Sequence, residues 1–254
     1  PNLKKQLITI IDANYVQDGY IDTKKRSSIS QTYFLGNTSY VFSIFVSKKE
    51  EKLFKRVSKF SKKCNLFLGD ILNFCSPGID ASSKLISRSK IDSSYVKLIR
   101  GGAINPYQII FNSDGKANYL LYDRQRLNRA RDEVLWNSKI KILVARISGG
   151  KTPLIAAIDR KKFKSFNSTN VLLIKEEYLE KYSYQLITAL LNSDIINQYY
   201  SKLVTNMSET TVNISKTFLD AMPLPMINLD DQKIIDRKIK IDDMVDQISS
   251  TKDL

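Results

Sequence analysis

Ile140-Lys141-Ile142-Leu143-Val144-Ala145-Arg146-Ile147 decides the fold. A nearly unbroken apolar run of this length, rich in β-branched residues, reads as a central strand. Leu154 to Ile158 and Val171 to Ile174 look like its neighbours. From Leu66 to Ile174 short strands alternate with loops, with turns at Pro77-Gly78, Gly101-Gly102, Asp114-Gly115 and Gly149-Gly150. Asp114-Gly115 suits a hairpin joining Tyr107–Phe111 to Tyr119–Tyr122. Upstream, residues 7–11 and 40–46 have strand composition, and Asp22 to Ser30 is a polar stretch between them.

Helical periodicity predicts a helix from Glu50 to Ser61. Leu53, Phe54, Val57 and Phe60 share one face, and Lys52, Lys55, Arg56 and Lys59 the other. The period turns helical again from Glu176, with a stripe of Leu179, Tyr182, Leu186, Ala189 and Leu190. A break at Asn192-Ser193-Asp194 starts a second helix that runs to Leu203. After Pro223-Leu224-Pro225, Asp230 is a candidate cap for a final helix. That helix carries Ile234, Ile241, Val245 and Ile248 on one side, widened by Ile235 and Met244. The fold class is mixed α+β: a twisted mixed β-sheet body with C-terminal helices.

The formal charge is +14, from 40 Lys+Arg against 26 Asp+Glu, and histidine is absent. Such a surplus seeks a polyanion, which phosphate backbones satisfy through counterion release. Without histidine there is no Ser-His-Asp or Cys-His arrangement and no histidine-containing zinc site. Cys64 and Cys75 are too few for a disulfide framework, which suits a reducing, cytoplasmic compartment. No apolar run approaches the ~18 residues of a membrane helix.

Enzymatic hardware is also wanting. Adenine methylation needs an Asn-Pro-Pro-Tyr type loop around the flipped base. Ile104-Asn105-Pro106-Tyr107 has one proline, and Asp12-Ala13-Asn14-Tyr15 is further off. Gly101-Gly102 and Gly149-Gly150 lack the spacing of a cofactor-binding turn. Asp132-Glu133 has no lysine at the offset a metal-dependent nuclease uses, and Asp159-Arg160-Lys161-Lys162 has no second carboxylate. Gly149-Gly150-Lys151-Thr152 ends like a phosphate-binding loop without the upstream glycine.

Several segments match one family in order. Leu68-Gly69-Asp70-Ile71 followed by Ser76-Pro77-Gly78-Ile79 opens the series. Lys97-Leu98-Ile99-Arg100-Gly101-Gly102-Ala103-Ile104-Asn105-Pro106-Tyr107 follows, with Ala103 in place of the usual acidic residue. Then come Lys139 to Ile147, Ala156-Ala157-Ile158-Asp159, Tyr184 to Ser193 and Met222 to Pro225. Together, from about Gly69 to Pro225, they resemble the TaqI-like C-terminal specificity domain of adenine-N6 DNA methyltransferases. Such domains occur in restriction–modification enzymes, including fused type IIG forms, and in phage-defence methyltransferases. Asp231-Gln232-Lys233-Ile234-Ile235 resembles the tail of type I restriction specificity subunits, and Leu3 to Asp12 faintly resembles the strand after a methyltransferase catalytic loop.

The resemblance implies three parts. Residues 1–60 would be an N-terminal segment, the end of a methyltransferase domain plus a linker helix, so that the chain is a fragment of a longer polypeptide. Residues 61–225 would be the target recognition domain, and 226–254 a docking helix for a methyltransferase domain or subunit, or for self-association. The implied function is sequence-specific duplex DNA binding with no catalytic residue, metal or cofactor in this chain. S-adenosylmethionine would belong to the partner domain. The alternatives are a stand-alone type I specificity subunit, a divergent complete methyltransferase and a non-specific nucleic-acid packaging protein.

In such a domain, phosphate contacts position and base contacts specify. The phosphate candidates are Arg100, Arg124, Arg126, Arg129, Arg131, Lys139, Lys141, Arg146, Lys151, Lys161 and Lys162. The base-reading candidates are Asn105, Gln108, Asn112, Asn118, Asn128, Asn167 and Asn170, because paired amide donors and acceptors match base edges. A solvated basic face and turn-forming asparagines are the plain alternatives. Tyr119, Tyr122, Phe163 and Phe166 read as packing residues.

Overall fold

The computed structural model describes residues 6–11, 16–17, 20–21, 26–30, 46–47, 49–50, 52–57, 66–111, 117–148, 152–203 and 212–250. In chain order the strands are β1 (Leu7–Ile11), β2 (Val16–Gln17), β3 (Tyr20–Ile21), β4 (Arg26–Ser30), β5 (Leu72–Pro77), β6 (Ile86–Ser87), β7 (Tyr95–Ile99), β8 (Ile104–Asn105), β9 (Gln108–Ile109), β10 (Ala117–Leu121), β11 (Lys141–Ala145), β12 (Ile147–Ser148), β13 (Ala156–Asp159), β14 (Lys164–Ser165), β15 (Thr169–Ile174) and β16 (Val212–Asn213). The helices are α1 (Leu68–Ile71), α2 (Glu133–Asn137), α3 (Tyr184–Asn192), α4 (Asp194–Leu203), α5 (Lys216–Asp220) and α6 (Gln232–Ser250).

The predicted central strand is β11. It lies inside an antiparallel sheet of order β13-β11-β15-β5. All residues of β11, β13 and β15 are buried, because both faces of this sheet are covered. Alternation sends Ile142, Val144, Ala156, Ile158, Leu172 and Ile174 into one core, shared with Leu186, Ile187 and Leu191 of α3. Leu143, Ala157, Val171 and Leu173 enter a second core with Leu98, Ile99, Leu120 and Trp136. A buried aliphatic side chain contributes about 1.5–3 kcal/mol, so the sheet ties the two cores into one body. The second core is closed by a sheet of order β14-β7-β10-β6, in which β14 runs parallel to β7. The body is mixed α+β, as the residue pattern implied.

The helical half begins with a 3-10 turn at Glu176–Tyr178 rather than a continuous helix. Ser183 then caps α3, its Oγ accepting from the Leu186 amide at 3.1 Å. The final helix is capped one residue later than expected: Asp231, not Asp230, accepts from the Lys233 amide at 3.0 Å. The middle of its predicted apolar stripe, Ile241 and Val245, faces the body. Val245 is buried and Ile241 packs against the first core. Ser183 Oγ donates to Asp242 (2.6 Å), Gln185 to Asp246 (2.9 Å), and Arg160 pairs with Asp246 (2.7 Å). Met244 and Ile248 stay exposed on the shoulder of the helix.

Two expectations change. The Tyr107–Phe111 and Tyr119–Tyr122 segments do not form a hairpin. β9 instead folds back on β8 (Asn105 opposite Gln108), with Tyr107 at φ 68° in the turn, and β10 pairs with β7 and β6. Burial of Leu98 and Leu120 in a shared core decides that pairing over the local Asp-Gly signal. The polar stretch before Ser30 also contains strand β4, antiparallel to β1. Most of the 40–46 segment, the Asp114-Gly115 turn and the end of the 50–61 helix lie outside the described residues; 49–50 and 52–57 are helical.

Candidate nucleic-acid interface

Phe166-Asn167-Ser168-Thr169 turns between β14 and β15 at the end of the body where β5, β7 and β11 also terminate. The Thr169 amide and hydroxyl both donate to Phe166 O, at 2.9 and 2.8 Å. Three other strands lock the turn. The Phe166 amide donates to Ile99 O (2.8 Å), the Arg146 amide to Ser168 O (2.9 Å) and the Ile79 amide to Ser165 O (2.7 Å). The close approach requires two glycines. A Cβ at Gly78 would sit 2.3 Å from Ser165 O, and one at Gly101 2.5 Å from Ser168 O.

Four arginines surround this rigid turn. Arg146, directly after β11, donates through Nη1 to Asn167 O (3.2 Å) and through Nε to Asn213 Oδ1 (3.0 Å). Arg131 donates through Nε to Gly78 O at 3.0 Å. Arg100 lies over the Phe166 ring, 4.8 Å from its centroid, a cation–π platform. Its Nε is buried with no hydrogen-bond acceptor. Arg129 exchanges backbone hydrogen bonds with Asp80, both at 3.0 Å. Burial lowers the Arg131 pKa from its ordinary value, and the neighbouring charges of Arg129 and Arg146 lower it further against the pull of Asp80. Burial alone lowers that of Arg100.

Among the described residues none of the four arginines is in an ion pair. Neutral carbonyls, an amide and an aromatic face hold the side chains of Arg131, Arg146 and Arg100, whereas Arg129 is anchored through its backbone and its side chain is exposed. Such a cluster can grip phosphate oxygens, and its fixed forks suit bidentate contacts.

The predicted residues therefore separate. Arg100, Arg129, Arg131, Arg146 and Asn167 come together. Arg124 is exposed elsewhere and paired with Glu133, which also accepts from Tyr122 Oη and lies 3.5 Å from Lys164 Nζ. Burial and the Glu133 contact push the Tyr122 hydroxyl up to about 12. Arg126 and Lys139 are exposed, and Asn105 is exposed on β8. Lys162 is exposed at φ 55° in the loop after β13. Lys151 and Asn112 lie outside the described residues.

Three candidates are corrected. Asn170 is fully buried and donates to Ile214 O at 2.7 Å, so it braces β15 and does not reach the surface. Asn118 is buried in β10. Lys141 is fully buried and pairs with Asp159 at 2.6 Å across the β11–β13 ladder, where the register sets them opposite. Burial lowers the Lys141 pKa and Asp159 opposes that shift. Asp159 also accepts from the Lys161 and Phe163 amides, at 2.7 and 2.8 Å. Asp80 is the residue that a search for basic and amide side chains passes over. Its Oδ1 accepts from Asn167 Nδ2 at 3.3 Å, inside the arginine cluster. Phe166, read as packing, is also the platform for Arg100.

The family model of the TaqI-like C-terminal specificity domain matches residues 96–224, slightly more than half of the chain. No curated protein matches it. The chain belongs to the TaqI-like C-terminal specificity domain family, and with that membership comes a DNA-recognition specificity role in methyltransferase-type systems. The matched segment contains the four arginines and Asn167, but neither Asp80 nor α6.

Proposed function

We propose that this chain is the target-recognition part of an adenine-N6 DNA methyltransferase of a restriction–modification or phage-defence system. It binds duplex DNA sequence-specifically at the arginine cluster around Phe166–Thr169, while a methyltransferase domain or subunit supplies S-adenosylmethionine and the chemistry. One observation carries this reading: four arginines lie at one end of the body outside the ion pairs of the described residues, and uncharged groups hold three of them, Arg100, Arg131 and Arg146. A protein that needed those charges only for folding would pair them, as Lys141 is paired with Asp159. A cytoplasmic location fits Cys75, which is buried and unpaired, with burial pushing its thiol up to about 12.

Arg100 and Arg129 are the phosphate contacts in this reading, and the Asn167 turn is presented to base edges. For about six neutralised phosphates, log affinity should fall against log salt with a slope near −5. Arg100→Ala and Arg129→Ala should each reduce that slope by about 1 on any duplex sequence. Fluorescence titration across a salt series measures both quantities. A salt-independent affinity overturns the reading.

A further inference from the structure

Asp80 is an acid where the surroundings select for bases. A carboxylate beside Arg131 and the Asn167 turn repels the phosphate backbone that the arginines attract. Its position is nevertheless fixed. Both backbone groups of Asp80 are committed to Arg129 at 3.0 Å, and its side chain orients the Asn167 amide at 3.3 Å. Among the described residues no arginine or lysine forms an ion pair with it. The Asn167 amide occupies one acceptor position, and an ionised carboxylate has about four. What a negatively charged acceptor recognises on DNA is the exocyclic amino group of a base. Asp and Glu match cytosine N4 in the major groove, whereas the O6 and N7 acceptors of guanine repel them.

Resting on the DNA-recognition reading above, we propose that Asp80 is a specificity-determining residue. It accepts a hydrogen bond from the exocyclic amino group of a target base, cytosine N4, with Asn167 positioned beside it. It adds little to affinity for arbitrary DNA. Its contribution is rejection of the flipped base pair, which presents acceptors to the carboxylate.

The test uses the full chain as wild type, Asp80→Ala and Asp80→Asn. Each protein selects sites from a random duplex library. The wild-type site is then rebuilt with each cytosine in turn replaced by its analogue lacking the amino group. The wild type should lose about tenfold or more in affinity at one position. Asp80→Ala should be indifferent to that deletion, keep its preferences at positions away from the base beside Asn167, and bind unrelated duplex at least as tightly. Asp80→Asn keeps an acceptor for Asn167 and guards against a folding defect. It should shift the preference at that position towards adenine, which asparagine reads through N6 and N7. If Asp80→Ala selects the wild-type site with unchanged dependence on every amino group, or weakens binding to unrelated duplex, the proposal is overturned and DNA recognition stands. A wild type that selects no sequence overturns the target-recognition reading and this proposal together.

Discussion

Lys141 and Arg146 stand at opposite ends of one strand and are put to opposite uses. Lys141 is fully buried against Asp159, and its charge is spent inside the protein. Arg146 is only partly buried and held by two neutral oxygens, Asn167 O and Asn213 Oδ1. An ion pair fixes a side chain and cancels its field. A neutral acceptor fixes it and leaves the field intact. The same contrast extends to neighbours: Arg124 and Lys164 with Glu133, and Arg160 with Asp246, against Arg100 on the Phe166 ring and Arg131 on Gly78 O. A single strand thus joins a charge-neutralised end, which serves folding, to a charge-retaining end, which the proposed function assigns to DNA.

The comparison breaks most easily at the paired end. Asp159→Ala leaves the Lys141 ammonium buried without its counter-charge and strips acceptors from the Lys161 and Phe163 amides. A loss of about 3–5 kcal/mol is expected, as for other buried pairs cut on one side. Urea unfolding measures it. Under conditions where the variant is folded, its DNA affinity should equal that of the wild type, and a selective loss of DNA binding would erase the distinction between the ends.

At the other end Arg146→Ala should cost about 1.5–3 kcal/mol of stability, since two charge-assisted hydrogen bonds vanish. It should also weaken DNA binding beyond the loss of one phosphate contact, because the Asn167 turn loses a support. Arg146→Lys restores the charge but not the two-pronged hold, so it should recover the salt dependence of binding without recovering stability. Equal rescue of both by lysine would mean that only charge matters there.

The smallest effects belong to the exposed flank of the paired end. Arg124→Ala should leave the urea midpoint nearly unchanged, as the loss of an exposed, solvent-screened pair does, and leave DNA affinity unchanged. Tyr122 sharpens the same point through pH. Its folded-state pKa of about 12 exceeds its ordinary 10.0, so folding favours the protonated hydroxyl. The resulting stabilisation is complete below about pH 10 and is lost as pH rises towards 12. Tyr122→Phe should flatten the decline of the urea midpoint between about pH 10 and 12. An unchanged decline would assign it to Tyr200 or Cys75, which burial also pushes up to about 12.

Much of the architecture was legible from local pattern. The apolar continuity of residues 140–147 and 171–174 announces strands covered on both faces, and β11 and β15 are such strands. The spacing of Ile241 and Val245 announces a face to be buried, and α3 receives it. Asp114-Gly115 misled because a turn signal says where the chain can reverse, while β7 decides what β10 pairs with. Asn167 and Asn170 lie in one short polar segment. Three residues of register separate the half-buried Asn167 from Asn170, a fully buried brace to Ile214.

Composition and order in the chain determined the class of the molecule: a basic mixed α+β body without histidine chemistry, carrying the segments of a specificity domain. Which positive charges remain available was decided only by tertiary structure. Net charge is a sum along the chain. Neutralisation depends on contacts within about 4 Å between residues remote in sequence, and the antiparallel register brings Asp159 to Lys141 while the Phe166–Thr169 turn brings only uncharged groups to Arg146.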